Sequence, residues 1–329
     1  MARVSIIIPC FNEEKTITRL LEAIHAQDFP RKDLEVVIAD GLSTDGTRKR
    51  ISEFQRQHKG LDIKVLDNNA RTIPAALNLA IRTAKGESII RLDAHCIPQP
   101  DYVSKSMAAL EAGRGWNVGG VWDIQPSANG WIAESIAGAA SHPLGVGDAF
   151  YRYTGRAGEV DTVPFGAFRR DLIDRIGGFD ETLLSNEDYE FNTRIRKAGG
   201  KVWLDPTIRS IYFARPTLSQ LAKQYARYGY WKQQMLRRYP NSLRLRQALP
   251  PIFVLSLITF LIVGLIWSLA LWVLLVEVVS YFAILFGAAL RTALEHRKMQ
   301  LSLGIPLAMA TMHISWGTAF LWSIANPRR

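Results

Sequence analysis

Apolar and polar residues alternate in blocks over the first 125 positions. Short apolar runs at Val4 to Ile8, Leu34 to Ala39, Ile63 to Leu66, Ser88 to Leu92 and Asn117 to Trp122 predict strands. The intervening segments Lys15 to Gln27, Thr44 to Gln57, Ile73 to Thr83 and Asp101 to Glu111 predict helices. Asn12 with Glu13 and Glu14 suits a helix start, because acidic groups favour the positive end of the helix dipole. Alternation at this spacing predicts an α/β fold with a mainly parallel sheet covered on both faces.

Pro126 to Asp161 breaks the pattern with many Gly, Ala and Ser residues, and reads as a long irregular insertion, either a mobile functional loop or lid or a disordered stretch. A short strand near Thr162 to Phe165, a helix near Arg169 to Ile176 and a second helix from about Glu187 are expected after it. Leu218, Leu221, Tyr225, Tyr228, Trp231 and Met235 then recur at steps of three or four. They describe an amphipathic helix, lying in a membrane interface or packed on the domain as an ordinary surface helix.

The last third is different in kind. Ile252 to Leu290 holds one charged residue, Glu277, in 39, enough for two connected helices or for one span and an interfacial segment, since a span takes about 20 residues. Leu301 to Ile324 is another run of that length. Arg291, Arg297 and Lys298 between them favour a cytoplasmic loop, although three spans would leave Arg328 and Arg329 outside. Glu277 in such a setting is expected to face a partner or a polar cavity. The chain thus divides by composition into a cytosolic domain over 1–213, a basic amphipathic segment over 214–250 and a membrane region of two to three spans over 251–325.

Composition sharpens this division. Hydrophobic residues make up 48% of the 329 positions and the net charge is +10. Eight Lys and Arg residues and no acid fall between Ala214 and Pro250. A basic stretch directly before an apolar block is drawn to anionic lipid by about 1 kcal/mol per charge and marks the cytoplasmic side, so a bilayer rather than nucleic acid is the expected partner. Arg3 is followed by too short an apolar run for a secretory signal. Cys10 and Cys96 form no framework and have no metal-ligand spacing; reduced cytosolic thiols are expected.

Three acidic sites carry candidate chemistry. In VVIADGLSTDGT, from Val36 to Thr47, a strand ends at Asp40, Gly41 frees the backbone, and Thr44 or Asp45 can cap the next helix. In open α/β sheets ligands bind at this edge, so Asp40 is a candidate for a nucleotide base or ribose. The second site closes the fourth strand: Asp93 and His95 could hold a divalent cation against a diphosphate, or His95 could be an ordinary loop histidine. The third is Asn186, Glu187, Asp188, Tyr189 and Glu190. Acids at a helix start can be mere dipole partners. A sugar hydroxyl attacking an anomeric carbon, however, needs a base, and Asp188 is the candidate. The turn at Gly177, Gly178, Phe179 and Asp180 could bring this helix start to the sheet edge.

IIIPCFNEE at 6–14, ADGLSTDGT at 39–47, LDAH at 92–95 and GGFDETLLSNEDYEF at 177–191 resemble the ordered motifs of inverting family-two glycosyltransferases with the GT-A fold. DAH, the HPLGVG stretch at 142–147 and the apolar tail resemble most the succinoglycan-biosynthesis ExoA-like group. The resemblance implies that Pro9, Phe11 and Glu13 border the nucleotide, that Asp40 contacts uracil or ribose, and that Arg71 approaches the base. It puts Asp93 and His95 at Mg²⁺ or Mn²⁺ in place of the family's DXD motif. Asp188 would deprotonate the acceptor and Glu187 would help place it. Gln224, Tyr225, Ala226, Arg227 and Tyr228 partly resemble the QxxRW motif of processive synthases. Gln224 and Arg227 would cover the diphosphate or the acceptor, but Tyr228 replaces the Trp, which favours one sugar per encounter. Tyr212 stands where relatives often carry a histidine near the metal.

The resulting expectation is an enzyme of the inner (plasma) membrane, multi-pass, with a cytoplasmic catalytic domain. It would move a sugar from a nucleotide sugar, UDP-linked by preference, to a polyprenyl-diphosphate-linked saccharide in exopolysaccharide or surface-glycan synthesis, beside other polysaccharide-assembly proteins. Two alternatives stay open: transfer directly to polyprenyl phosphate, and an inactive membrane scaffold with the same fold.

Overall fold

The computed structural model describes residues 3–326; the sequence expectation for Arg328 and Arg329 lies outside them. The elements are β1 (Val4–Cys10), α1 (Ile17–His25), β2 (Leu34–Asp40), α2 (Thr47–Gln57), β3 (Asp62–Asp67), α3 (Ile73–Thr83), β4 (Ser88–Arg91), β5 (Ile97–Pro98), α4 (Tyr102–Glu111), β6 (Asn117–Pro126), α5 (Trp131–Ala140), α6 (Pro143–Val146), β7 (Gly158–Glu159), β8 (Ala167–Arg169), α7 (Leu172–Ile176), α8 (Glu187–Lys197), β9 (Val202–Ala214), α9 (Leu218–Leu236), α10 (Leu245–Val263), α11 (Leu269–Glu295) and α12 (Leu301–Ala325).

The strands form one sheet in the order β3-β2-β1-β4-β8-β6-β9-β5, with β7 on β9. β3, β2, β1 and β4 run parallel. β8 is antiparallel to β4 and β6, and β5 and β7 are antiparallel to β9. Every residue of β2 is buried, the signature of a parallel strand covered on both faces and the reason Val36 to Ala39 form a continuous apolar run. Val4, Ile6, Ile8, Val36, Ile38 and Ile90 pack in one core with Leu20, Leu21 and Ile24 of α1.

By packing, the chain separates into two units. One runs to Asp123 and resumes over Tyr153–Tyr212; the other takes Ile124–Arg152 together with the chain from Phe213 onward. The sequence division followed composition, whereas this one follows contacts, and 124–152 is where they differ. The irregular insertion expected over Pro126 to Asp161 is a correction in part: it contains α5 and α6, so residues 131–140 and 143–146 are helical rather than loop. Ile136, Ala137 and Ala139 of α5 share an apolar core with Ala289 and Ala293 of α11 and Ile305, Ala308 and Met309 of α12. The small residues that read as loop chemistry allow close helix contact instead, with Gly138 against Ile305 and Gly304 against Ser135.

A second correction concerns the strand expected at Thr162 to Phe165. It forms at Ala167–Arg169, because Pro164 offers no N–H to a ladder and Phe165 takes φ 48°. The helix after it starts at Leu172 rather than Arg169.

In the second unit α9 is amphipathic as its spacing predicts, with Leu221, Tyr225, Trp231 and Met235 buried. α10 and α11 are long and apolar enough to cross a membrane. α12 matches the third apolar run, but Ile305, Ala308, Met309 and Met312 are buried among neighbouring helices. Glu277 of α11 accepts a 2.5 Å hydrogen bond from Ser256 Oγ of α10, the polar partner its position called for.

Candidate functional site

The first unit gathers its polar groups at the C-terminal edge of the parallel strands. Cys10, Asp40 and Asp67 are register partners at the ends of β1, β2 and β3, so three loops leave the sheet side by side. The loops after β1 and β2 are tied together: the Asn12 amide donates to Ser43 Oγ (2.8 Å), the Thr44 amide to Asn12 Oδ1 (2.8 Å) and the Glu13 amide to Thr47 Oγ1 (2.8 Å). Asp45 Oδ1 accepts from the amide and hydroxyl of Thr47, the first residue of α2, while the N-cap position itself is Gly46 rather than Thr44 or Asp45. Pro9 is the penultimate residue of β1, and Phe11, just past the strand, is an exposed aromatic.

Asp40 is buried at the foot of its loop. Its side chain is 0% exposed and pairs with Arg48. Oδ1 accepts from Ser43 Oγ at 2.5 Å, and Oδ2 from the Ser43 amide at 3.0 Å and from Arg48 Nε at 2.5 Å. Both oxygens are therefore engaged by its own loop and α2. Arg48 also reaches Asp67 at 2.6 Å, so Asp40, Arg48 and Asp67 are tied into one rim at this edge. Arg71 is exposed on the same rim, just past β3, at φ 55°.

The structure brings Asp93, Glu187 and Asp188 together, and the residue that does so is Arg91, the last of β4. Arg91 Nε donates to Asp93 Oδ1 at 3.1 Å, with Nη2 at ion-pair distance from the same oxygen (3.0 Å); Nη2 donates to Glu187 Oε1 at 3.0 Å, and Nη1 donates to Asp188 Oδ1. The Arg91 side chain is 3% exposed, Glu187 10%, Asp93 22% and Asp188 28%. α8 begins here because Asn186, at φ 64°, turns the chain into it. The preceding turn is anchored from both sides. Asn78 of α3 exchanges hydrogen bonds of 2.8 Å with the amide and carbonyl of Phe179, and Arg194 of α8 donates to the Gly178 carbonyl at 2.6 Å.

Sequence reasoning missed Arg91. Its signal was a charge inside the buried strand SIIR, where an ion must have partners to be tolerated. One guanidinium faces three carboxylates, leaving two negative charges in excess. Burial raises Asp188, and Glu187 and Asp93 add to this against the opposing pull of Arg91, so its carboxyl is pushed up to about 7.

His95 lies on the loop after β4, and its Nδ1 is 3.0 Å from Glu13 Oε1. A carboxylate accepting from Nδ1 puts the proton there, so Nε2 carries the lone pair that could meet a cation. Glu13, expected beside the nucleotide, is thus also the orienting partner of His95. Gln224 and Arg227 belong to the second unit, on α9, where Gln224 Nε2 donates to the Tyr228 hydroxyl at 2.9 Å. Tyr212 stacks on Trp122 with ring centroids 4.2 Å apart.

Residues 5–177 match the profile described as Glycosyl transferase family 2. A Methanococcus voltae protein, dolichyl N-acetyl-alpha-D-glucosaminyl phosphate 3-beta-D-2,3-diacetamido-2,3-dideoxy-beta-D-glucuronosyltransferase, is 32% identical over 283 residues, covering 84% of this chain and 86% of its own. Succinoglycan biosynthesis protein ExoA of Rhizobium meliloti (strain 1021) is 31% identical over 329 residues, 98% of this chain and 96% of that protein. Among solved structures, mannosyltransferase PcManGT from Pyrobaculum calidifontis, in complex with GDP-Man and Mn²⁺, shares the fold at TM-score 0.65 and 22% identity, covering 99% of this chain and 88% of that one. Motifs at the sheet edge, a family profile over more than half of the chain and two relatives each covering more than four-fifths of it agree: this chain belongs to glycosyltransferase family 2 and is a glycosyltransferase with the GT-A fold.

Proposed function

We propose that the protein moves one sugar per encounter, with inversion, from a nucleotide sugar, UDP-linked by preference, to a saccharide carried on a polyprenyl diphosphate, in exopolysaccharide or surface-glycan synthesis. The observation that carries this is the placement of Asp188 beside Asp93 through Arg91. A base for the acceptor and a carboxylate for the donor side are held at one sheet edge. Asp188 takes the proton of the acceptor hydroxyl as that oxygen bonds to the anomeric carbon. The bond from that carbon to the diphosphate oxygen breaks, and the nucleoside diphosphate leaves from the opposite face. An α-linked donor then gives a β product. Glu187 helps place the acceptor, and Phe11, Arg71 and the rim held by Asp40 border the base.

The residues fit a divalent cation. Asp93 Oδ2 has no protein partner among the described residues, and the cluster is short of positive charge. A carboxylate with one imidazole suits Mg²⁺ or Mn²⁺. Among the described residues no three acidic, histidine or cysteine side chains form a metal cluster. Asp93 and His95 would therefore share the ion with diphosphate oxygens and water, the way Mg²⁺ is usually held. There it would neutralise charge on the leaving group. The Mn²⁺ and GDP-Man bound in the Pyrobaculum structure support both cation and nucleotide sugar.

α10 and α11 would anchor the chain in the plasma membrane, with the basic stretch over 214–250 at its cytoplasmic face. This supports an acceptor that resides in the bilayer. The name of the Methanococcus relative gives it a dolichyl-phosphate-linked sugar as acceptor, which favours, as a second reading, a saccharide carried on a single phosphate.

The test is transfer from a panel of UDP- and GDP-sugars, with Mn²⁺ or Mg²⁺, to polyprenyl-linked sugars carrying one or two phosphates, comparing the native protein with Asp188→Asn. Metal-dependent labelling of lipid that the variant lacks supports the proposal, and unchanged labelling in the variant refutes the role of Asp188.

A further inference from the structure

We infer that Arg91 is a positioning residue for sugar transfer, aligning the donor-side carboxylate of Asp93 and the acceptor-side carboxylate of Asp188 on one guanidinium. This rests on the transferase reading above and adds a residue to it. Arg91 binds Asp93 through Oδ1 alone and Asp188 through Oδ1 alone. In each carboxylate Oδ2 has no protein partner among the described residues. A pair serving only to neutralise buried charge would engage both oxygens, and one cation would not be set against three acids. Here each functional carboxylate gives one oxygen to the arginine and keeps the other for chemistry. Nη2 also reaches Glu187 Oε1 at 3.0 Å, so the start of α8 is fixed at two successive residues.

The planar guanidinium is what makes this possible. Its donors lie in one rigid fork, so the carboxylates it holds take defined mutual positions, whereas an ammonium group supplies the charge without the alignment. β4 supplies the anchor: Ser88, Ile89 and Ile90 pair with β8, and Val4 to Ile7 of β1 pair with β4 through Arg91 itself. Asp93 and Asp188 lie 95 residues apart in the chain, and Arg91 hydrogen-bonds to both.

The experiment uses the full-length chain in detergent or nanodiscs and compares Arg91→Lys, Arg91→Met and Arg91→Met/Glu187→Gln with Glu187→Gln alone. The double variant removes one excess charge and keeps the series interpretable if Arg91→Met does not fold. Measured are kcat, the donor KM, UDP affinity with Mn²⁺, and thermal midpoint. For Arg91→Met a fall in kcat of about 100-fold is expected, the scale of a misplaced general base, with UDP affinity in Mn²⁺ falling by about tenfold at most through the loosened Asp93. The double variant should fall similarly against Glu187→Gln, and Arg91→Lys should recover only part of the loss. Native kcat in folded Arg91→Lys or in the double variant, or kcat and UDP affinity falling together with the thermal midpoint, would overturn the inference. Two controls separate the readings: no sugar transfer by the native chain sinks the transferase reading itself and native turnover in Asp188→Asn refutes the base, while an inactive Asp188→Asn beside a fully active Arg91 variant removes only the role of Arg91.

Discussion

Glu13 Oε1 lies 3.0 Å from Nδ1 of His95, across 82 positions of sequence. Glu13 is itself fixed by Thr16, whose hydroxyl donates to Oε2 at 2.5 Å. A carboxylate behind a histidine sets its tautomer and raises its basicity, and loss of such a partner typically costs 10- to 100-fold in metal affinity. Glu13→Gln should therefore weaken Mn²⁺-dependent UDP binding by about tenfold. Titration of Mn²⁺ at fixed UDP reads this, and an unchanged midpoint would return Glu13 to a purely nucleotide-bordering role.

Asp188 gives a pH dependence with a defined sign. Its carboxyl is raised to about 7, and only the deprotonated form accepts a proton. The rate should climb with pH through about 7 and level off above it. Asp188→Asn should lower kcat by about 10²- to 10⁴-fold while UDP affinity is kept. A rate that is flat from pH 5.5 to 8.5 in the native protein would contradict the assignment.

The buried Asp40 should act on stability as well as on donor binding. Arg48 is half exposed and keeps Asp67 as a partner, so Asp40→Asn, which disturbs buried hydrogen bonds to Ser43 and Arg48, should cost about 1–3 kcal/mol and lower the thermal midpoint and UDP affinity together. If affinity alone falls, the carboxylate meets the nucleotide directly.

How much of this was legible follows from the range of the interactions. β1 to β4 and their helices are visible because buried parallel strands and amphipathic helices write their period into neighbouring residues; α3 appears in the sequence at its observed bounds, Ile73–Thr83. Asp93 and Asp188 were visible because strand ends and helix starts have local signatures. Arg91, Glu13 as a partner of His95, and Arg48 as the clamp on Asp40 were not, because each role is defined by a contact made across the fold. α5 was hidden for another reason. Its Ala, Gly and Ser residues suit a loop by composition, and only its neighbour α12 gives the small side chains their packing role.

At the opposite end of the sheet, Glu35 tests the scaffold independently of the chemistry. It accepts from Ser5 Oγ at 2.5 Å, from Lys64 Nζ at 2.7 Å and from the Lys85 amide. Burial alone would raise this carboxyl, but Lys64, Ser5 and the Lys85 amide outweigh it and hold it below its ordinary 4.5. A lowered folded value means that the stabilisation is full above that pH and is lost as the pH falls through the folded value. Glu35→Gln should cost about 1–3 kcal/mol at pH 7, and denaturation curves of the two proteins should converge in acid. Curves that stay parallel down to pH 3 would show that the charge contributes nothing.

The packing of α5 among the C-terminal helices bears on how the enzyme can be handled. Cutting the chain after residue 213 removes α11 and α12 but leaves Ile136, Ala137 and Ala139 behind, stripped of the core they share with Ala289, Ile305 and Met309. An uncovered apolar face of this kind drives self-association. A water-soluble catalytic fragment would have to lose or repolarise Trp131–Ala140 as well as the tail, and simple truncation would yield aggregates.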